Sequence, residues 1–158
     1  NGSTIGYPDP IFSNDEHFVD TNTVYQGSQS GPFLYNNTTA SYSEVSLPMS
    51  ATEVGSDWTQ DGFTILTLWF YGEPDNSADP FYVVLEDNTG NRKEVQHPNP
   101  AAVTLERWEQ WSIPIADFTG VDPTTIRIVR IGVGDPATNQ PGGSGLVRID
   151  DIELQFVQ

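Results

Sequence analysis

The run Leu146-Val147-Arg148-Ile149-Asp150-Asp151-Ile152-Glu153-Leu154 decides the fold. Side chains along a strand alternate between its two faces. Strict alternation puts Asp150 with Leu146, Ile152, Leu154 and Phe156, on the apolar face that should look into a core. A lone buried carboxylate is costly unless it is paired, hydrogen-bonded or bound to a metal. The chain has six lysines and arginines in all, so a hard cation is an attractive partner. The run therefore predicts a closing strand with a carboxylate that needs explaining.

Outward from this strand, helical signals are nearly absent. Ile115-Ala116-Asp117-Phe118 is the one plausible helical turn. Strand patterns recur instead, bounded by Gly, Pro, Asn and Asp. They cover Gly31–Tyr35, Ala40–Leu47, Gly62–Tyr71, Phe81–Asp87, Arg92–Gln96, Glu109–Ile115, Thr125–Val133 and Gly145–Phe156. Asp87-Asn88-Thr89-Gly90-Asn91 reads as a hairpin turn with Gly90 at positive φ. Pro141-Gly142-Gly143-Ser144-Gly145 reads as a flexible turn feeding the last strand. Eight short strands in a chain of 158 residues predict an all-β fold: an antiparallel β-sandwich or jelly roll with almost no helix. The expected organisation is an irregular acidic lead-in over residues 1–22 and one sandwich domain over residues 23–158.

The charge narrows the partners. With 22 acidic against 6 basic residues the net charge is −16. Nucleic acid is disfavoured, because neutralising phosphates requires clusters of Lys and Arg. Anionic lipid and polyanionic glycans are disfavoured for the same reason. No apolar run reaches the 18 residues that suggest a membrane-spanning helix. Cysteine is absent, which removes disulfides, thiol catalysis and zinc–thiolate sites. His17 and His97 both stand in polar, loop-like contexts that form no catalytic arrangement, so an enzyme is not expected.

Phe63-Thr64-Ile65-Leu66-Thr67-Leu68-Trp69-Phe70-Tyr71 is apolar on both faces. One face carries Leu66, Leu68 and Phe70; the other carries Phe63, Ile65, Trp69 and Tyr71. Such a strand is central, and its second face is either covered by loops or open as a sugar platform. Aromatic faces suit sugars because C–H groups pack on them while flanking polar groups take the hydroxyls. Trp69 and Tyr71 are the candidate stacking residues, with Asn36 and Arg130 as candidate polar partners. A plain ion pair of Arg130 with a core-edge carboxylate is the alternative and the favoured reading. Trp111 shares a face with Ile113 and Ile115 and reads as core. Trp58 reads as a plug at the end of the sandwich, and Trp108 is open to either face.

Several segments line up in order: Tyr25-Gln26-Gly27-Ser28-Gln29, Leu34-Tyr35-Asn36-Asn37, Asp57-Trp58-Thr59, Leu66-Thr67-Leu68-Trp69-Phe70, Trp108-Glu109-Gln110-Trp111, and Gly142-Gly143-Ser144-Gly145 leading to Ile149-Asp150-Asp151-Ile152. The series resembles the galactose-binding-domain-like jelly rolls that serve as carbohydrate-binding modules in secreted or surface proteins of environmental bacteria. That resemblance implies a non-catalytic, extracellular module for a neutral polysaccharide or glycan, secreted or held at the cell surface. It also implies a structural Ca²⁺ on Asp150, completed by backbone carbonyls of the Gln26–Gln29 turn. Such modules usually open with a strand whose Glu also binds the calcium, and no such strand is legible here. The alternative is therefore a structural or adhesive subunit of a fibre or surface layer. Such a subunit would contact neighbouring domains or copies of itself and accept the opening strand from a neighbouring chain.

Overall fold

The computed structural model describes residues 19–156, with Thr4–Ile5, Tyr7–Pro8 and Glu16–His17 as backbone only. Most of the lead-in, including Asp9, Asp15 and the His17 side chain, lies outside the described residues. Eleven strands are present: β1 Thr4–Ile5, β2 Tyr7–Pro8, β3 Glu16–His17, β4 Gly31–Asn36, β5 Tyr42–Pro48, β6 Ile65–Tyr71, β7 Phe81–Asp87, β8 Arg92–Gln96, β9 Trp108–Pro114, β10 Ile126–Gly134 and β11 Ser144–Gln155. Among the described residues, helix is confined to four short 3-10 turns, one of them Ile115–Asp117.

The eight long strands build two antiparallel sheets. One runs β1-β4-β11-β6-β9 and the other β5-β10-β7-β8; β2 and β3 form a separate two-stranded ladder. Leu66, Leu68, Phe70, Trp111, Ile113, Phe33 and Val147 meet Phe81, Val83, Leu85, Val129, Ile131 and Val133 in one core. Trp58 is buried in that core, as its plug role requires, and so is Trp111. This is a β-sandwich with alternating inward residues from both sheets.

The lead-in departs from the expected irregular segment. Thr4–Ile5 pairs antiparallel with Leu34 and Phe33, so β1 already sits beside β4. Two residues of the β4 edge are thus paired by the chain's own backbone.

Asp150 also departs from expectation. The ladder between β11 and β6 runs Arg148↔Tyr71, Ile149↔Phe70, Asp150↔Trp69 and then resumes at Glu153↔Thr67. Three steps on β11 match two on β6, which is a β-bulge. Asp151 takes the strain with φ +42, the one positive-φ residue other than glycine among those described. The bulge flips the parity of everything after it. Ile149 stays on the core side with Val147 and Phe70, whereas Asp150 shares the outer face with Trp69 and Arg148. Leu154, opposite Leu66, returns to the core side.

The glycine turn is tightly packed rather than flexible. A Cβ on Gly143 would lie 1.9 Å from Ser77 Oγ, and one on Gly145 would lie 2.1 Å from Asn76 Oδ1. The Asn76 amide donates to the carbonyls of Val103 and Leu146 and accepts from the Leu146 N–H. It thereby ties the start of β11 to the Ala102–Thr104 turn.

His97 is held edge-on between Phe70 and Trp111, with ring centroids 5.3 and 4.9 Å away. The Asn99 N–H donates to its Nδ1. Burial pushes the imidazole below its usual value of 6.5, against weaker opposing effects of Asn99 and Glu109. The folded state therefore favours neutral His97, and the unfolded chain binds more protons once pH falls below 6.5. Stability is complete above that value and declines as pH drops through it. A His97→Gln variant should show a flatter stability–pH curve between pH 7 and 5 in urea titrations, and an unchanged slope would count against this assignment.

Candidate functional site

The outer face of the five-stranded sheet is built by register. Trp69 pairs with Gln110 on β9 and Asp150 on β11; Tyr71 pairs with Trp108 and Arg148. Directly opposed residues point the same way in an antiparallel pair. Trp69, Tyr71, Trp108, Gln110, Arg148 and Asp150 therefore share one surface. Tyr71 and Trp108 meet edge to face at 5.6 Å. The Arg148 guanidinium lies 5.8 Å above the Tyr71 ring, within cation–π range.

The loop from Asp20 to Ser30 crosses part of this surface and brings a further ring. Tyr25 stacks on Trp69 with centroids 3.8 Å apart and planes 16° apart, and lies 5.9 Å from Trp108. Tyr25 remains 38 % exposed. A loop thus covers Trp69, and the loop's own ring continues the aromatic surface beside Trp108 and Tyr71. Tyr25 was not singled out from the sequence. Its only local signal is an aromatic next to Gln26-Gly27 in a polar turn, where Gly27 takes φ +75.

The loop is pinned by charge. Asp20 and Ser30 exchange backbone hydrogen bonds at 2.9 and 2.8 Å. The Arg148 Nε donates to Asp20 Oδ2 at 2.5 Å, and Arg148 Nη1 donates to Glu73. Asp20 is 2 % exposed. Burial works to raise its carboxyl, but the Arg148 guanidinium and the N–H groups of Asn22 and Thr23 outweigh it and hold the group below the usual range.

The other sequence candidates are dispersed. Asn36, on β4 opposite Ser144, is exposed at the end of the same sheet, and its Oδ1 accepts from the Thr38 N–H and hydroxyl. Arg130 is not on this surface. It lies on β10, opposite Val84, and faces outward from the four-stranded sheet. There it pairs with Glu86 at 2.6 Å and Glu44 at 3.9 Å, the ion-pair alternative. Tyr82 lies over Gly132 on that same side and donates to Glu44. Burial and the Glu44 charge push the Tyr82 phenol far above its usual value. A depression of about 640 Å³ lined by Pro48, Met49, Ile126, Arg127 and Ile128 marks the loop end of this sheet.

The residues suggested for calcium meet unevenly. Asp150 Oδ2 accepts from the N–H groups of Tyr25 at 3.0 Å and Gln26 at 3.4 Å, and Oδ1 accepts from the Asp151 N–H. Gln26 thus turns its backbone N–H toward Asp150. Gln29, Asp150 and Asp151 line a shallow depression of about 310 Å³. Burial and the charges of Asp150 and Glu153 push the Asp151 carboxyl up. Among the described residues no group of three or more His, Cys, Asp or Glu side chains converges on one point.

No family model and no curated protein matches the chain. Solved structures do. A family 30 carbohydrate-binding module of a cellulosomal cellulase from Clostridium thermocellum superposes with TM-score 0.61 at 18 % identity, covering 87 % of this chain and 80 % of its own. The chain shares its fold with carbohydrate-binding modules. A family 11 module from the same organism, solved with a β-1,3-1,4-mixed-linked tetrasaccharide, gives TM-score 0.57 at 13 % identity over 99 % of this chain and 85 % of its own. An exo-β-agarase gives TM-score 0.65 at 12 % identity over all of this chain, which spans 23 % of the agarase chain. These likenesses establish the β-sandwich fold.

Proposed function

We propose that the protein is a non-catalytic module that binds a neutral glycan, working outside the cell or at its surface. The observation that carries this is the contiguous ring surface of Tyr25, Trp69, Trp108 and Tyr71 on the outer face of a sandwich with this fold. Gln110, exposed beside the rings, is suited to hydroxyls. A net charge of −16 favours a ligand without anionic groups.

A second face competes for the same role, because the four-stranded sheet carries Arg130 on its outer side and a depression lined by Pro48, Arg127 and Ile128 at its end. Affinity electrophoresis through neutral polysaccharides separates the two. Trp108→Ala and Tyr71→Ala are each expected to weaken binding roughly two- to twelve-fold, from about 0.5–1.5 kcal/mol per ring contact. Arg130→Ala should leave it unchanged. The reverse pattern moves the site to the four-stranded sheet. Absence of retardation on any glycan, together with self-association, favours the structural or adhesive role instead.

Calcium belongs to the same proposal, at the depression shared by Asp150, Asp151 and Gln29. Hard carboxylate oxygens suit Ca²⁺, and a dication would offset both the burial and the Asp150 and Glu153 charges that raise Asp151. The expected result is a Tm that falls on adding EDTA and climbs with calcium concentration, as mass action requires. A Tm indifferent to both removes the ion.

A further inference from the structure

We infer that Asp150 is a positioning residue for Tyr25: its carboxylate grips the loop backbone and seats the Tyr25 ring on Trp69 as a fixed part of the ligand surface. The inference rests on the glycan reading only for what the ring is used for; the clamp itself is geometric. Asp150 and Trp69 are opposed across the β11–β6 ladder. One ladder position therefore supplies both the ring that Tyr25 stacks on and the acceptor that holds the Tyr25 and Gln26 N–H groups. A carboxylate that accepts backbone N–H bonds makes the stronger, charge-assisted kind.

The bulge at Asp151 is what allows this. Beyond it the parity of β11 reverses, so Asp150 is the last outward side chain before the reversal and points at the loop. The Asp151 N–H folds back on Asp150 Oδ1 and fixes the carboxylate plane. At the base of the loop, Asp20 holds the N–H groups of Asn22 and Thr23 through Oδ1 while Oδ2 meets Arg148. The Ser30 hydroxyl donates to the Thr23 carbonyl. The loop is thus held at its base by Asp20 and near its tip by Asp150, with an exposed Tyr25 displayed between. A loop that served only to hide Trp69 would bury its own ring; this one presents it.

Near-ultraviolet circular dichroism reads the Tyr25–Trp69 stack directly. Asp150→Ala is expected to shift the aromatic band in the same direction as Tyr25→Ala, by at least half as much. It should add nothing in the Tyr25→Ala background. In the parent protein, the Tyr25 amide should exchange at least tenfold more slowly than the Ser28 amide, a measurement that does not depend on any variant folding. An unchanged band in Asp150→Ala, additive changes in the double variant, or equally fast exchange at Tyr25 and Ser28 overturns the clamp. So does EDTA reproducing the Asp150→Ala band in the parent with calcium restoring it, because Asp150 would then act through an ion. A protein that shows the coupling yet binds no polysaccharide retains the clamp and loses only the glycan role.

Discussion

Arg148→Met is expected to destabilise the protein by about 3–5 kcal/mol, the range for removing one partner of a buried ion pair. That corresponds to a Tm lower by on the order of 10 °C for a domain of this size. The Arg148 side chain is 11 % exposed and Asp20 1 %. Without the guanidinium, Asp20 keeps its burial and loses its counter-charge. Glu73, 32 % exposed, can turn to water and should matter less.

The pH dependence gives this prediction a sign that simple loss of packing lacks. In the parent, Asp20 is held below its ordinary 3.8. It therefore contributes stability that is present above that value and lost as pH falls through the lower folded value. In Arg148→Met only the Asn22 and Thr23 N–H groups still oppose burial, so the Asp20 carboxyl rises from its value in the parent. The charged form is then held less well than in the parent, and protonation relieves the difference. The gap in unfolding free energy between parent and variant should narrow as urea titrations move from pH 7 to pH 4. Asp20→Asn placed on Arg148→Met should recover part of the loss at pH 7. A gap independent of pH, with no recovery, would place the effect in the lost methylene packing of Arg148.

The sequence revealed whatever depends on alternation and turn chemistry. All eight long strands were legible because Leu66, Leu68 and Phe70 alternate with Trp69 and Tyr71, and because Gly90 supplies positive φ between β7 and β8. Trp69 and Tyr71 sharing an outward face follows from the same period of two. Asp150 was assigned to the wrong face because a bulge changes parity without changing composition; Asp151 at φ +42 looks like any other aspartate in the sequence. Tyr25 and Asp20 were missed because their partners stand far along the chain: Asp150 lies 125 residues from Tyr25, and Arg148 lies 128 from Asp20. Arg130 was grouped with Trp69 as a polar partner, but the strand order places the two residues on different sheets.

Gly72→Ala is expected to be among the most damaging glycine-to-alanine changes at the described residues. A Cβ there would lie 2.1 Å from the Val103 carbonyl oxygen, 2.4 Å from its carbon and 3.0 Å from the Leu105 nitrogen. These are backbone atoms, which cannot rotate away as a side chain can. They are also anchored: the Val103 oxygen accepts from the Glu73 N–H at 3.1 Å and from Asn76 Nδ2 at 2.6 Å, while the Gly72 N–H donates to Leu105 O at 3.0 Å. Overpacking alone costs about 1–3 kcal/mol, and each hydrogen bond broken to make room adds about 1 kcal/mol. The two neighbouring contacts that would yield are the ones that carry Asn76 to β11 and Glu73 to Arg148. Gly90→Ala is the control: its Cβ meets nothing within 4 Å, and only its φ of +89 is unfavourable. That substitution should cost about 1 kcal/mol. Urea unfolding should therefore rank Gly72→Ala several-fold more costly than Gly90→Ala, with the band of the Tyr25–Trp69 stack disturbed only in the former. Equal losses would mean that the Ala102–Thr104 turn moves aside freely and does not brace the edge of the ring surface.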